Sequence, residues 1–276
     1  MGDKSCIYWF SGTGNSLYVA KLLSADLAGI PIAPITGAAP SDAVGGDGAR
    51  IGFVFPSYFG NMPRAVRAFI EKTEIRPGTY VFAVVTMGGF GLGSLSALDA
   101  ALMSKGSQLS YGKGIHMPAN YVLKYNPADP EKCEKAIDKA DRRLHGFAAE
   151  ITAGMKYVEK LPIVAKNLYK GIESLDAAFA AGESCTGCGL CERICLVQNI
   201  RLEDSKPTWL HRCEHCVACI SWCPEQAIEY GERTHGRRRY RNPRVTAEEL
   251  AAASQRGAEG AANRVVEDAD PYAKSE

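Results

Sequence analysis

Several features that would suggest a membrane, secreted or nucleic-acid-binding protein are missing from this 276-residue chain. No apolar run approaches the roughly 18 residues that a membrane-spanning helix needs, so we expect no membrane insertion. The first residues lack the basic region and apolar core of a secretory signal peptide, so we expect a cytoplasmic protein. With 32 basic and 31 acidic residues the net charge is +1, and nothing in it predicts a nucleic-acid partner.

Cysteine is scarce over most of the chain and concentrated in one short part of it. Only Cys6 and Cys133 lie outside residues 185–223, and we interpret both as small core residues. The other eight form two runs with the spacing C-x-x-C-x-x-C-x-x-x-C: Cys185, Cys188, Cys191 and Cys195, then Cys213, Cys216, Cys219 and Cys223. The second run repeats the first after 28 residues. The segment is therefore an internal duplication.

Four cysteines in one run favour iron–sulfur chemistry over the alternatives. Zinc modules usually present their ligands as separated pairs, and a disulfide framework is typical of secreted proteins. The same period relates Ile200 to Ile228, so each unit is predicted to be a cluster loop, a short helical turn and a strand. Free thiolates suit a reducing compartment, and clusters of low potential suggest an oxygen-poor or anaerobic host.

Residues 185–224 resemble the two-cluster bacterial ferredoxins, in which the fourth cysteine of each run binds the other cluster. The resemblance implies two 4Fe–4S clusters in a small α+β domain. It assigns Cys185, Cys188, Cys191 and Cys223 to the first cluster, and Cys213, Cys216, Cys219 and Cys195 to the second. One departure is Leu196, which stands where the second run has Pro224.

A polar glycine loop near the start of the chain is the second motif. A predicted strand over residues 4–10 leads into Ser11, Gly12, Thr13, Gly14, Asn15 and Ser16, and a predicted helix follows. Backbone amides, hydroxyls and a helix N-terminus together form an anion site. The loop has neither the lysine of a Walker A motif nor the third glycine of a dinucleotide fingerprint. We therefore predict that the loop binds a single phosphate group. The alternative is that it is only a tight strand-to-helix turn.

Alternating strands and helices continue after this loop. Further strands are predicted over residues 30–35, 51–55, 80–86 and 108–116, and helices over 62–72, 92–103 and 131–159. This alternation predicts a parallel sheet covered on both faces, with ligands beyond the carboxyl ends of its strands. Besides the glycine loop, the candidate binding residues there are Pro56, Ser57, Tyr58, Phe59 and Gly60, then Thr86, Met87, Gly88 and Gly89.

The glycine loop and the order of the elements resemble those of the flavodoxins. That resemblance implies a doubly wound parallel sheet of order 2-1-3-4-5 that binds FMN through the three loops. Tyr58 matches the position of an aromatic that stacks on the flavin, the alternative for Tyr58 and Phe59 being loop packing. Residues 117–121 are similar to a stretch in flavodoxin–ferredoxin fusions of anaerobic bacteria, and we expect them to cover the flavin. We interpret the preceding His116 as structural.

These observations divide the chain into four parts. They are an FMN domain over residues 1–158, a connecting helix over 159–182, a two-cluster ferredoxin domain over 183–231 and a polar tail over 232–276. Apolar residues in the tail do not recur at helical or strand spacing, so we expect the tail to be disordered. Its arginines, Arg237, Arg238, Arg239 and Arg241, are interpreted as a solvated basic run.

The leading functional prediction is electron transfer between the clusters and FMN, with other redox proteins as donor and acceptor. Clusters exchange single electrons, whereas a flavin exchanges one or two. One alternative is a flavin-dependent reductase of a quinone, nitro compound or enone, with His116, Tyr58 and Tyr121 as candidate proton donors. Another is a flavin-free docking domain that carries a ferredoxin. No catalytic residue is assigned, and we expect no direct oxidation of NAD(P)H because no second dinucleotide fingerprint is present.

Overall fold

A parallel sheet organises the first half of the chain. The computed structural model describes residues 5–36, 40, 42–89, 91, 93–159 and 173–262. The strands are β1 (Cys6–Trp9), β2 (Ile32–Pro34), β3 (Arg50–Pro56), β4 (Tyr80–Met87), β5 (Tyr111–His116) and β6 (Tyr157–Val158), in the order β2-β1-β3-β4-β5-β6. The predicted parallel sheet and its 2-1-3-4-5 order are confirmed, and this order is the flavodoxin-like one. The edge strand β6 falls inside a predicted helix.

Strands β3 and β4 form the centre of the sheet. Arg50 pairs with Tyr80 at one end and Pro56 with Thr86 at the other, so both strands end at the same edge. Their interior residues are almost all buried, which is why both read as continuous apolar runs rather than as alternating patterns. The loops that follow them are therefore held side by side.

Four helices pack on this sheet. They are α1 (Asn15–Asp26), α2 (Arg64–Lys72), α3 (Ser94–Met103) and α4 (Pro130–Thr152). Helix α1 packs with α4, and α2 packs with α3. The start of α4 follows from its sequence, because the Asp129 carboxylate accepts the Lys132 N–H at 2.9 Å and Pro130 occupies the first turn.

The cysteine-rich part forms a second, smaller α+β unit. Its elements are β7 (Phe179–Ala181), α5 (Leu190–Arg193), β8 (Ile200–Glu203), β9 (Lys206–Trp209), α6 (Ala218–Trp222) and β10 (Ile228–Tyr230). Strand β7 pairs antiparallel with β10, and β8 pairs antiparallel with β9. Each ribbon thus joins one strand from each half of the duplication, so the two halves interlock. The predicted helical turns and the strands at Ile200 and Ile228 are confirmed.

The duplication extends to the backbone conformation. Three pairs of residues separated by 28 positions share a positive φ: Gly187 and His215, Gly189 and Val217, and Gln198 and Gln226. Glycine adopts this conformation without strain, whereas a β-branched residue such as valine adopts it rarely. At two of these positions the first half therefore has glycine without backbone strain, whereas the second half has His215 and Val217 in the same conformation.

The predicted connecting helix is wrong where the structure describes it. Residues 160–172 lie outside the described residues, Glu173–Ala178 is a 3-10 helix and Phe179–Ala181 is strand β7. The Phe179 ring stacks on Trp209 with centroids 5.7 Å apart, and contacts Tyr230 at 4.8 Å. Pairing with β10 and this aromatic contact outweigh the local helical pattern, because tertiary packing overrides propensity.

The prediction of a disordered tail is wrong for residues 232–262. Thr234 and Asn242 are fully buried, and a helix, α7, covers Ala247–Ala262. Leu250 and Ala253 are fully buried in the same core cluster as Leu196. Small alanines carry little periodic signal, so the packing of α7 is not visible in its composition. The Ser254 hydroxyl of α7 donates to Cys195 O at 3.1 Å, beside Leu196 in the chain. Among the described helices, none combines the length and hydropathy needed to cross a membrane.

Candidate cofactor site

A cavity of about 360 Å³ opens at the edge of the sheet where β3 and β4 end. Its lining residues are Asn15, Pro56, Ser57, Tyr58, Phe59, Gly60, Thr86, Met87, Gly88, Gly89, Met117, Pro118, Ala119, Asn120, Tyr121, Lys124, Tyr125, His215, Cys216 and Val217. Ligand pockets commonly measure about 300–1,000 Å³, so the volume suits a bound small molecule. The cavity joins the sheet edge to the second cysteine run.

A tight turn presents two aromatic side chains to this cavity. Tyr58 and Asn61 exchange backbone hydrogen bonds of 3.0 and 2.9 Å across the turn. Phe59 and Gly60 between them have φ values of 51° and 75°. Positive φ at both central residues is the pattern of a type I′ turn, and it is strained at Phe59. The Phe59 ring meets the Tyr121 ring edge-on at 5.6 Å, which closes one side of the cavity.

The glycine loop holds a row of unsatisfied backbone donors. Within the described part of the chain, no acceptor meets the N–H groups of residues 11–17, and Tyr18 is the first to donate, to Gly14 O at 2.9 Å. Ser11, Thr13 and Ser16 are each at most 4% exposed. Buried amides without partners are unfavourable, and here they also carry the positive end of the α1 dipole. This donor set, which we call the amide cradle, fits a bound oxyanion.

Side chains tie the loop to the other walls of the cavity. The hydroxyls of Ser16 and Thr86 lie 2.7 Å apart, and the Asn120 amide donates to Thr13 Oγ1 at 2.5 Å. The Asn15 amide donates to the carbonyl of residue 118 at 3.1 Å. The amide cradle is therefore held in fixed register with the loop after β4 and with residues 117–121.

The C-terminal part of the chain encloses the cradle from the other side. Asn242 N–H donates to Thr13 O at 2.8 Å, and the Tyr240 hydroxyl donates to Asn15 Oδ1 at 2.7 Å. A Cβ on Gly14 would lie 3.1 Å from Asn242 Cβ and 3.2 Å from Val245 Cβ. Gly14 also has a φ of 96°, so this position requires glycine on both counts.

The eight cysteines of the two runs fall into two spatial groups. Cys191 interacts electrostatically with Cys185, Cys188 and Cys223. Cys219 interacts with Cys213, Cys216 and Cys195, and also with Cys191. The assignment of these cysteines to two 4Fe–4S clusters stays a prediction. Within the described residues, no three His, Cys, Asp or Glu side chains are placed to hold a single metal ion.

The two groups differ in their access to solvent. Cys188 is exposed and the rest of its group is half-buried, whereas Cys195, Cys213 and Cys219 are buried. Burial raises the pKa of Cys191 to about 11 and the pKa of Cys216 to about 12. As free thiols these residues stay protonated and unreactive at neutral pH.

Backbone amides point at the fourth sulfur of each run. Asn199 N–H donates to Cys195 Sγ at 3.2 Å, and Ala227 N–H donates to Cys223 Sγ at 3.3 Å. Donor and acceptor occupy equivalent positions in the two halves of the duplication. Hydrogen bonds to a sulfur favour its thiolate form, so the repeated geometry suits cysteines that act as anionic ligands.

Glu214 fixes the second cysteine run against the first domain. Its carboxylate is fully buried and accepts the N–H groups of Arg64 and Ala65, at 3.2 and 3.0 Å, where α2 begins. Arg64 in turn donates from Nη2 to Cys213 O at 2.5 Å. A carboxylate at a helix N-terminus is favoured by the helix dipole. Burial raises the pKa of Glu214, although Arg64 opposes the shift.

Gly12 marks the closest approach between the two units. A Cβ built on Gly12 would lie 2.2 Å from Cys216 O, so only glycine fits. The Trp222 indole N–H also donates to Gly12 O at 3.0 Å. The glycine loop and the second cysteine run are thus in direct backbone contact.

The structure separates the predicted binding residues into two sets. Every residue predicted from the two later loops lines the cavity, and so does Asn15. Ser11, Gly12, Thr13, Gly14 and Ser16 are buried and do not line it. His116 is exposed and is not among the lining residues.

Four lining residues were not predicted: Lys124, Tyr125, His215 and Val217. The last two lie inside the second cysteine run, where the equivalent residues of the first run are Gly187 and Gly189. Comparing the two halves of the duplication would have singled them out, because a glycine-to-side-chain change at a loop position needs a reason. The reason is that they form a wall of the cavity.

No protein-family model and no curated protein matches this chain. Among solved structures, a proposed flavoprotein from Bacteroides uniformis is 18% identical and has a TM-score of 0.35, with 50% of this chain and 99% of that one covered. A second proposed flavoprotein, from Bacteroides eggerthii, is 19% identical and has a TM-score of 0.32, with 50% and 98% covered. At these values the similarity carries no functional conclusion for this chain.

Proposed function

We propose that this protein transfers electrons between two 4Fe–4S clusters and an FMN bound at the cavity. The observation that carries the proposal is the shared wall. His215, Cys216 and Val217 of the second cysteine run line the same cavity as the loops that follow β3 and β4. A cofactor in the cavity would therefore lie against a cysteine of the buried group, with no intervening domain.

The residues around the cavity fit the parts of FMN. The amide cradle, which meets the cavity at Asn15, offers buried donors for its phosphate, and Tyr58 and Phe59 offer aromatic faces for its ring. Gly89 leaves its backbone open to a planar ligand, because a Cβ built on it would meet no atom within 4 Å. When bound, FMN exchanges electrons singly or in pairs, and 4Fe–4S clusters exchange them singly.

The two cysteine groups fit the clusters. Four thiolates form each group, which is the number that a 4Fe–4S cluster takes. Buried thiols whose mutual interactions raise one another's pKa are stabilised when a metal centre replaces their protons. Because Cys188 is exposed, the first group offers the surface at which another redox protein would exchange electrons.

Cofactor content after strictly anaerobic purification tests the proposal. We expect about one FMN, eight irons and eight sulfides per chain. Cys216→Ser should lower the iron content, whereas Cys133→Ser, a cysteine outside both groups, should leave it unchanged. Absence of iron would overturn the cluster assignment. Full iron without flavin, even after addition of excess FMN, would overturn the flavin assignment.

One observation favours the reductase alternative. The Tyr121 hydroxyl lies 3.4 Å from His215 Nδ1, and both residues line the cavity. Burial raises the pKa of Tyr121, so its hydroxyl keeps its proton and can donate a hydrogen bond into the cavity. Saturable reduction of one quinone, nitro compound or enone that is lost in Tyr121→Phe would favour this alternative. Retention of electron transfer to a protein acceptor in the same variant would favour the main proposal.

A further inference from the structure

A second and larger cavity, of about 570 Å³, lies away from the candidate cofactor site. Its walls come from the residues before and within the first turns of α4, from the end of the second cysteine run around Cys223, and from the segment Arg238, Arg239, Tyr240, Arg241. The volume is within the range of about 300–1,000 Å³ that small-molecule sites occupy. The functions proposed above make no use of this cavity.

Two arginines give the cavity an uncompensated positive charge. Arg238 donates from Nε to the carbonyl of residue 127 at 3.0 Å, and Arg241 lies over the Trp222 ring at 5.8 Å. Within the described residues neither arginine forms an ion pair. Glu134 is the acidic residue in the described lining, and it pairs with Arg244 at 2.5 Å. Arg238 and Arg241 are exposed, as the interpretation of a solvated run expects, and both line this concave surface.

Two buried donors in the same wall lack an acceptor. The Ser221 hydroxyl and Arg239 Nε are shielded from solvent and have no hydrogen-bond partner in the described part of the chain. Ser221 is 3% exposed, and the Arg239 side chain is 5% exposed while its other end pairs with Glu229. Buried donors normally have partners. A ligand with acceptor oxygens would provide them.

We propose that this cavity binds a small organic anion that carries a carboxylate or a phosphate. Arg238 and Arg241 supply the charge, and the Ser221 hydroxyl and Arg239 Nε supply directed hydrogen bonds. Guanidinium groups suit both oxyanions because their planar donors match two acceptor oxygens. The concave shape favours a small molecule over the flat surface of a protein partner.

Calorimetric titration with two probes tests this inference. Citrate and pyrophosphate would be titrated separately into the full chain at constant ionic strength, with excess FMN present to occupy the amide cradle. Binding of citrate alone identifies a carboxylate site, and binding of pyrophosphate alone identifies a phosphate site. We expect Arg241→Gln and Arg238→Gln each to raise the dissociation constant of the probe that binds by about tenfold or more. This is the usual effect of losing a charged hydrogen-bond donor.

Arg233→Gln is the matched control. Arg233 is exposed, belongs to the same basic segment and lies over the Tyr230 ring rather than in the cavity wall. Its substitution removes the same charge and should leave the dissociation constant within about twofold, because Arg233 is not among the residues that line the cavity. The inference is overturned if neither probe binds at millimolar concentration, or if Arg233→Gln weakens binding as much as the two cavity variants.

Discussion

The position of the second cysteine run depends on Glu214. This carboxylate is fully buried and satisfies two amides at the start of α2. Glu214→Ala would leave these amides and the Arg64 guanidinium with one acceptor fewer. We expect the free energy of unfolding to fall by about 2–3 kcal/mol, measured by urea denaturation under anaerobic conditions.

Glu131→Ala controls for the loss of a carboxylate near a helix start. Glu131 pairs with Lys135 at 2.6 Å on the surface, and its side chain is 79% exposed. Exposed ion pairs of this kind contribute little to stability. A similar loss in both variants would contradict the role that we assign to Glu214.

Substituting alanine for Gly12 and for Gly146 should change the free energy of unfolding in opposite directions. Gly12→Ala would place a Cβ 2.2 Å from Cys216 O, so the two units must separate. We expect it to destabilise the protein by about 1–3 kcal/mol, as overpacking does, and to lower its flavin content. Gly146→Ala lies within α4 with no atom within 4 Å of the added Cβ, so we expect a gain of about 0.5–1 kcal/mol.

Thermal denaturation and flavin absorbance of the two variants check this comparison. A stable Gly12→Ala variant with normal flavin content would show that the backbone contact with Cys216 is not required. The prediction is specific to this contact, because Gly12 has an ordinary φ and the substitution strains no backbone dihedral.

Individual site residues were predictable to the extent that they belong to a local pattern. Tyr58, Gly88 and Gly89 line the cavity because they follow buried strands whose ends lie side by side. His215 and Val217 lie more than a hundred residues further along the chain, and no local pattern indicates that they return to the same cavity. Their positive φ values, 51° and 55°, are a property of the folded loop that composition alone does not reveal.

Among secondary-structure elements, the central strands were the most predictable. β3 and β4 are continuous apolar runs that are buried by the sheet itself, so their signal is local. Strand β7 and helix α7 were predicted incorrectly because their partners are distant: β7 pairs with β10, and α7 packs on α5. Three-residue strands and alanine-rich helices have weak intrinsic preferences, and long-range packing decides their structure.

Removal of the C-terminal element tests the corrected view of residues 232–262. Truncation after Gly231 deletes the bonds from Tyr240 and Asn242 to the glycine loop, together with buried Leu250. It also deletes Arg244, which bridges Glu134, Asp138 and Asp141 on α4. We expect a lower melting temperature and rapid cleavage of the glycine loop in limited proteolysis.

Truncation after Ala262 is the control for this experiment. It preserves every contact described above, so we expect the wild-type melting temperature and cleavage pattern. If truncation after Gly231 also leaves both unchanged, residues 232–262 contribute nothing to the fold, as the disordered-tail prediction assumed.

For the whole molecule, the unequal exposure of the two cysteine groups predicts two rates of iron loss. Cys188 is exposed, whereas three cysteines of the other group are buried. With an iron chelator under anaerobic conditions, we expect about four of the eight irons that two 4Fe–4S clusters contain to leave in a fast phase. The remainder should leave slowly, because access requires opening of the contact with the first domain.

Cys188→Ser identifies which group is responsible for the fast phase. The variant should start with about half the iron of the wild-type protein, or should release its iron without a fast phase. In either case the slow phase should remain. Release of all iron in a single phase from the wild-type protein would contradict the proposed difference between an outer and an inner group.

The enclosure of the amide cradle also affects when a cofactor can enter it. Residues 11–17 are synthesised well before Asn242 and Val245, which close on Gly14. During translation the cradle is open, and domains that emerge first can fold first. A phosphate-bearing cofactor would therefore enter the cradle of the nascent chain freely. In the folded protein the segment around Asn242 and Val245 covers Gly14, so added FMN would bind slowly and bound FMN would leave slowly, each at the rate at which this segment detaches.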